Sequence, residues 1–418
     1  MLEQFNRKLG PGFLFAASAV GVSHLVQSSR AGAEFGFSLA WLLLLACLVK
    51  YPAFRFAADY AAVRQDTLVD AYERQGRWVL GAVVVILPVD MFIASAAVSL
   101  VTAAIIQSVF GLELNVVAIA SGLIALCGAI LIVGKYRTFE NITKVFVAVF
   151  IIGVLVAAAL AVPQLEWARA EVFAPLTFDR TTLLFMIAAA GWMPTAMTAS
   201  LFQSLWVSAK QRSLVDPLSP KEVRLDFNLG YGFTAFLALC FVLLGTVFLF
   251  SAGVPSSETP AGFAAQLMAF FTGTIGNWAY PIIAVAAIAV MFSTLLTLVD
   301  GCPRSYATII RRLKQESGDK KGADSATGYA WLVITQVVGV VFVLVAFFRN
   351  FSAFIDFATS VSFIAAPFIA FFNHRAIFSD IVPRAHRPGR GMYLASYLSI
   401  AAMGAVACAY LAFSLVFS

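Results

Sequence analysis

Apolar runs separated by short polar connectors fill the chain almost from end to end. They lie near 12–30, 36–63, 78–109, 116–134, 145–162, 182–207, 227–251, 278–303, 328–348, 352–373 and 391–416. A hydrocarbon layer about 30 Å thick takes about 20 helical residues to cross, so the pattern predicts eleven membrane-spanning helices and no second, soluble domain. The segment "PAGFAAQLMAFFTGTIG" (260–276) is apolar but short, and a surface-lying external helix ahead of span 8 is expected there. The tracts "KQRSLVDPLSPKEVR" (210–224) and "KQESGDKKGADSATG" (314–328) carry the polar, Pro/Gly/Ser-bearing composition of connectors.

Two of the runs are interrupted near their middles, by "AVGVSH" (19–24) in span 1 and "AAAGWMPT" (188–195) in span 6. Each interrupted run opens a block of five spans. Glycine and proline also let ordinary membrane helices pack closely, which would explain either break alone. Unwound backbone at membrane depth survives only where it is buried in protein or lines a polar cavity, and a matched pair of breaks points to a transporter's central site. The pair therefore favours an all-α membrane protein built as a five-plus-five inverted repeat. Repeat one covers about 10–163 and repeat two about 180–373, with an extra helix at about 391–416, all in one transmembrane domain.

Composition agrees: 61% of the 418 residues are hydrophobic and 12% charged, against roughly 25% charged in soluble domains. A formal charge of +6 raises the question of nucleic acid. With the N-terminus in the cytoplasm, however, twenty-one of the 28 lysines and arginines fall in cytoplasmic segments and four in external ones, a positive-inside bias that accounts for the charge. An integral protein of a bacterial inner (plasma) membrane is expected, touching lipid and a small solute or metal ion but no nucleic acid. Oligomeric state is not legible. The first residues, "MLEQFNRKLG", lack a small-residue cleavage site and are expected to be retained. The five cysteines sit in or beside apolar runs without close pairing, which suits packing. No cofactor is implied. An enzyme would need a nucleophile–base pair or a full ligand cluster, and a channel a charged ring or filter repeat; neither pattern is present.

Several stretches resemble the Nramp (natural resistance-associated macrophage protein) family of divalent metal transporters: "GPGFL" (10–14), "AGAEFGFSLAWLLLLACL" (31–48), "YRTFENI" (136–142), "RLDFNL" (224–229) and "WLVIT" (331–335). The resemblance implies the LeuT-type inverted-repeat fold, with discontinuous helices 1 and 6. It also exposes departures. The family's Asp-Pro-Gly-Asn in span 1, whose Asp and Asn ligate metal, falls without gaps on Gly21, Val22, Ser23 and His24. Its Ala-x-x-Met-Pro-His in span 6, which gives a backbone carbonyl and a thioether, reads Ala190, Gly191, Trp192, Met193, Pro194 and Thr195. A family Gln of the metal site falls on Thr359. In the family's proton route, the Arg after Ile-Thr is Gln336 and the acidic pair of span 3 falls on Ser95 and Val98, with Asp90 five residues before Ser95. Losing a buried base together with its cationic partner avoids stranding either charge.

The resemblance thus implies metal transport on an altered site and an altered proton path. The surviving donors would be the His24 imidazole, the Met193 sulfur and the Ala190 carbonyl, with Ser23, Thr195 and Thr359 hydroxyls, a neutral set suited to softer transition ions. The alternatives are a small organic or anionic solute, for which Gly21 gives room, Gly191 free amides and Trp192 a wall, or a sensor that binds without transport. His24 is either a hydrogen-bonded partner of the unwound span 6 or a cargo- or proton-binding group. Met193 is either core filling or a ligand. His24, Asp90 and Gln336 are the coupling candidates. Asp300 is expected to pair with Arg304, and Asp356 to be hydrated near the outer end of its helix.

Overall fold

In a computed structural model, residues 10–134, 136–165, 172–173, 175–214, 216–316 and 326–416 are described. Most of the tract 314–328, the N-terminal segment 1–9 and the side chains of "YRTFENI" lie outside the described set. Among the described residues the chain is helical apart from a single bridge between Gly36 and Phe173.

Nine described helices are long and apolar enough to cross a membrane: Phe37–Arg64, Arg77–Phe110, Val116–Val133, Val145–Gln164, Pro220–Phe250, Asn277–Leu313, Thr327–Phe347, Phe351–Ile377 and Arg390–Phe413. These are spans 2–5 and 7–11 of the sequence pattern. Spans 1 and 6 are missing from that set because each is split. Span 1 runs as Pro11–Ala19, opens at residues 20–21, and resumes through Val22 as a π-wound turn Ser23–Ser28 and a helix Ser29–Phe35. Span 6 runs as Arg180–Trp192, unwinds over 193–198 and resumes as Ala199–Ser213.

Three features differ from the hydrophobic pattern. Span 8 continues past residue 303 as one helix, Tyr280–Glu316, because a helix leaving the membrane keeps its backbone bonds after its side chains turn polar. A short helix, Leu68–Gln75, follows span 2; it is set by a capping box in which the Thr67 hydroxyl accepts the Asp70 N–H and Asp70 accepts the Thr67 N–H. Third, the expected surface helix Pro260–Ile275 exists but buries Phe263, Leu267, Phe270 and Phe271 against the bundle.

Spans 1 and 7 cross backbone to backbone. A Cβ placed on Gly12 would lie 2.1 Å from the Asp226 carbonyl oxygen, and one on Gly230 2.1 Å from the Gly12 carbonyl oxygen. At the other end, Gly32 meets Val242 at 2.1 Å and Gly245 meets Ser29 at 2.2 Å in the same sense. Close approach of this kind substitutes for the hydrophobic driving force that lipid-embedded helices lack. The Asp226 carboxylate also accepts the N–H groups of Gly12 (2.6 Å) and Gly10 (3.2 Å), satisfying amides at the start of span 1 that have no helical partner. The motifs "GPGFL" and "RLDFNL" are thus two sides of one contact, sealed by the rings of Phe15, Phe54, Phe227 and Tyr231.

Gly230→Ala should lower stability by about 3 kcal/mol or more, since the clashing atom is backbone and cannot move aside. In contrast, Gly232→Ala, two residues on with nothing within 4 Å of the new methyl, should leave it unchanged or raise it by about 0.5–1 kcal/mol. Thermal unfolding of the two detergent-solubilised variants checks the contrast.

Candidate functional site

The two interruptions face one another at the centre of the bundle, and a small cavity of about 50 Å³ lies beside them. Its wall includes Gly21 and Ser23 from span 1, Asp90 and Ala94 from span 3, Trp192, Thr195 and Thr198 from span 6, and Thr294 from span 8. Gly21 packs closely there: a Cβ would lie 3.2 Å from the Thr294 methyl, which would have to give way by a few tenths of an ångström. The Trp192 indole N–H is buried and has no hydrogen-bond partner.

Asp90 reaches this wall through a π-wound turn, Val89–Ala94, that follows Pro88. Each such turn takes an extra residue and rotates the helix beyond it. The Asp90 carboxylate accepts the hydroxyls of Ser362 in span 10 (2.6 Å) and Thr198 in span 6, so one side chain of span 3 ties both.

His24 is fully buried and is not part of the cavity wall. Its Nε2 lies 2.9 Å from the Thr234 carbonyl oxygen in span 7, which can only accept, so Nε2 carries the proton. Nδ1 of the neutral ring then accepts the Ser23 hydroxyl at 2.9 Å. His24 reaches span 6 only through Ser23, whose Oγ lies 3.0 Å from the Pro194 carbonyl oxygen.

Met193 is likewise fully buried outside the cavity wall, in the apolar cluster shared with span 2. Thr359 is buried in span 10, where its hydroxyl donates to the Ile355 carbonyl (3.0 Å) and accepts the Gln27 amide (3.3 Å). Its carbonyl oxygen would lie 2.5 Å from a Cβ at Gly191, so spans 6 and 10 touch through that glycine. The structure therefore brings Gly21, Ser23, Trp192, Thr195 and Asp90 to one cavity and leaves His24, Met193 and Thr359 behind it. Gln336 is also outside: it donates to the Ser95 hydroxyl (2.9 Å) and the Leu298 carbonyl (3.3 Å), so a neutral pair joins spans 9 and 3.

The carbonyls of the broken span 6 are engaged by a residue that the sequence pattern does not single out. Lys50, in the middle of span 2 and 1% exposed, donates from Nζ to the carbonyl oxygens of Gly191 (2.5 Å), Ala190 (2.9 Å) and Thr195 (3.4 Å). The available signal was a lysine at the middle of the run 36–63, remote from the Arg55 and Asp59 pair nearer its end and counted with neither side of the membrane. Among the described residues no group of three His, Cys, Asp or Glu side chains is placed to hold a metal ion.

On the far side of the breaks, Arg30 of span 1 donates to Asp356 of span 10 (2.7 Å) and to Glu34 (3.2 Å), and its guanidinium lies 4.9 Å from the Phe185 ring centroid. The Gln27 amide donates to the same Asp356 carboxylate at 3.0 Å. Asp356 is thus a cross-span acceptor and not simply a hydrated end. Asp300 pairs with Arg304 at 2.7 Å as expected, and also accepts the Tyr329 hydroxyl at 2.6 Å.

The model of the Nramp family, described as natural resistance-associated macrophage protein-like, matches residues 12–413. An uncharacterised protein of Pasteurella multocida (strain Pm70) is 32% identical over 369 residues, 87% of this chain and 83% of that one. Among solved structures, a mutant of the Eremococcus coleocola manganese transporter superposes with a TM-score of 0.70 at 14% identity, covering 95% of this chain and 84% of that one. MhsT, in complex with L-phenylalanine, gives 0.62 at 15% identity, covering 95% and 98%. Both likenesses give the LeuT-type fold, with its five-plus-five inverted repeat and discontinuous helices 1 and 6.

His24→Ala strips a buried partner from Ser23 and the Thr234 carbonyl, which should lower stability by about 1–3 kcal/mol. The affinity of the folded variant for whatever fills the cavity should be unchanged. Thermal unfolding and titration on the same preparation separate the two effects, and a selective loss of affinity would put the ring in contact with cargo.

Proposed function

The chain belongs to the Nramp family, and on that footing we propose that it is a secondary transporter working by alternating access, which carries a small organic solute through the cavity between broken spans 1 and 6. One observation carries the choice of cargo. The cavity wall offers hydroxyls, an unpartnered indole N–H and a single carboxylate, while the imidazole of His24 is hydrogen-bonded elsewhere and Met193 is buried outside the wall. A bare divalent ion needs several oxygen, nitrogen or sulfur donors on one centre. A solute with its own polar groups needs only a few placed donors and acceptors, and the cavity of about 50 Å³ in this conformation would have to widen during the transport cycle to admit it. That MhsT was solved with L-phenylalanine supports an amino-acid-sized cargo on this fold.

The second reading, a divalent metal on an altered site with an altered proton path, is favoured by the family itself and by the manganese transporter among the fold neighbours. The neutral Gln336–Ser95 pair supports the altered path, because neither group exchanges a proton near neutral pH. Asp90, at the cavity wall, is the group left for coupling. We further propose a bacterial plasma membrane and a cytoplasmic N-terminus, on the distribution of Lys and Arg.

Calorimetric titration with Mn²⁺, Zn²⁺ and Mg²⁺, followed by proteoliposome uptake with and without a pH gradient, decides between the cargo classes. The expected result is no saturable metal heat, together with a Trp192 fluorescence response to members of an amino-acid and amine panel that are then taken up. Metal binding with flux would establish the second reading, and solute binding without flux a sensor. Alternating access makes its own prediction. The Arg30–Asp356 tie closes the side of the cavity towards the C-terminal half of span 1, so Asp356→Asn should raise labelling of a cysteine placed at Ala94 by an impermeant maleimide added from that side, in a background with its native cysteines removed. Equal labelling in both chains would rule this tie out as a gate.

A further inference from the structure

We infer that the unwound segment of span 6 is a cation site of its own, built for a primary ammonium and filled by the Lys50 side chain as a tethered occupant. Three backbone carbonyls, of Ala190, Gly191 and Thr195, converge on Nζ at 2.9, 2.5 and 3.4 Å. A carbonyl can only accept, and an ammonium carries three N–H donors and no acceptor, whereas a neutral amine would turn its lone pair on one of the three oxygens. Donor count therefore favours the charged form. The Phe363 ring centroid lies 5.3 Å from Nζ, within the reach at which an aromatic face attracts a cation.

The site is also a place in the architecture. Unwinding frees the carbonyls of residues 190–195 from helical bonds at a depth where no bulk water can satisfy them. A free cation could do this, but the occupant here arrives on a four-carbon stem from the middle of span 2. Lys50 also borders an apolar crevice of about 120 Å³ between spans 2 and 11, lined by Leu42, Leu45, Ala46, Ala402, Met403 and Val406. That crevice gives small alkylammonium ions a route to the same carbonyls once the stem is cut. The consequence for the proposed cycle is that this position needs no free co-ion, because the cation it holds never leaves the protein. The inference uses the proposed transport function only for that consequence; the site stands whatever the cargo.

The test is chemical rescue, read as folding stability and not as transport, so its failure is distinguishable from failure of the cargo assignment. Lys50→Ala should lower the melting temperature by about 5 °C or more, and ethylammonium or n-propylammonium chloride should restore it saturably. Tetramethylammonium, with the charge but no N–H donors, should not restore it, and wild type should respond to none of them. Lys50→Met, which keeps the bulk without charge or donors, should be destabilised even where the alanine variant does not fold. Wild-type stability in Lys50→Met would overturn the inference. So would a folded Lys50→Ala chain that ignores primary ammonium ions, or one that tetramethylammonium restores equally well.

Discussion

Two helices of this protein stop being helices in the middle of the membrane, and everything around them answers the backbone groups this exposes. A carbonyl left unpaired in hydrocarbon costs several kcal/mol. The interruption of span 6 is met by a side chain from another span. Lys50 of span 2 caps three of its carbonyls, while at the span 1 break the single O–H of Ser23 goes to His24, whose ring in turn bonds span 7. The glycine crossings are the steric side of the same constraint. Spans 1 and 7, and spans 6 and 10, approach at backbone contact, which brings partners within hydrogen-bond range of groups that a bulkier interface would strand.

Charge in the interior follows from this economy. An isolated ion at membrane depth is costly, so each buried charge is held by several polar partners. Lys50 takes backbone carbonyls, Asp90 takes two hydroxyls, and Arg30 shares Asp356 with Gln27. Where the family resemblance implies a base and an arginine in the proton route, Ser95 and Gln336 bond to each other instead. A pair that has lost both charges together leaves no orphan, and this is why two departures so far apart in sequence are one change in the structure.

The spans were legible because an apolar run of membrane length has one stable conformation in lipid, and the breaks because glycine and proline in matching runs have no other easy use. Faces were less legible. His24 follows a break and opens a π-wound turn, so counting at 3.6 residues per turn does not give its direction; the ring turns to span 7 and not to the cavity. Asp90 shows the converse, since the π-wound turn after Pro88 carries it into the wall. Lys50 was hidden for a different reason: a single lysine barely moves the mean hydropathy of a 28-residue helix that also carries Arg55, Asp59 and Arg64. Its role depends on carbonyls some 140 positions away, which no reading of side-chain types can supply.

Lys50 also bears on the proposed change of cargo. The carbonyl that the family resemblance assigns to a metal, that of Ala190, is still presented by the same unwound turn, but an ammonium of the protein's own occupies it. A metal cation entering there would have to displace a covalently attached competitor whose effective concentration is that of a neighbour, on the order of millimolar or above. Removing the span 1 carboxylate alone would weaken a metal site. Filling the span 6 carbonyls from span 2 does more, because it keeps the turn unwound and hydrogen-bonded without any bound ion. On the proposed reading, the architecture of the central site would thereby survive the loss of the ligand that the resemblance implies, and the adjoining cavity of hydroxyls, indole and Asp90 would be left to recognise another solute.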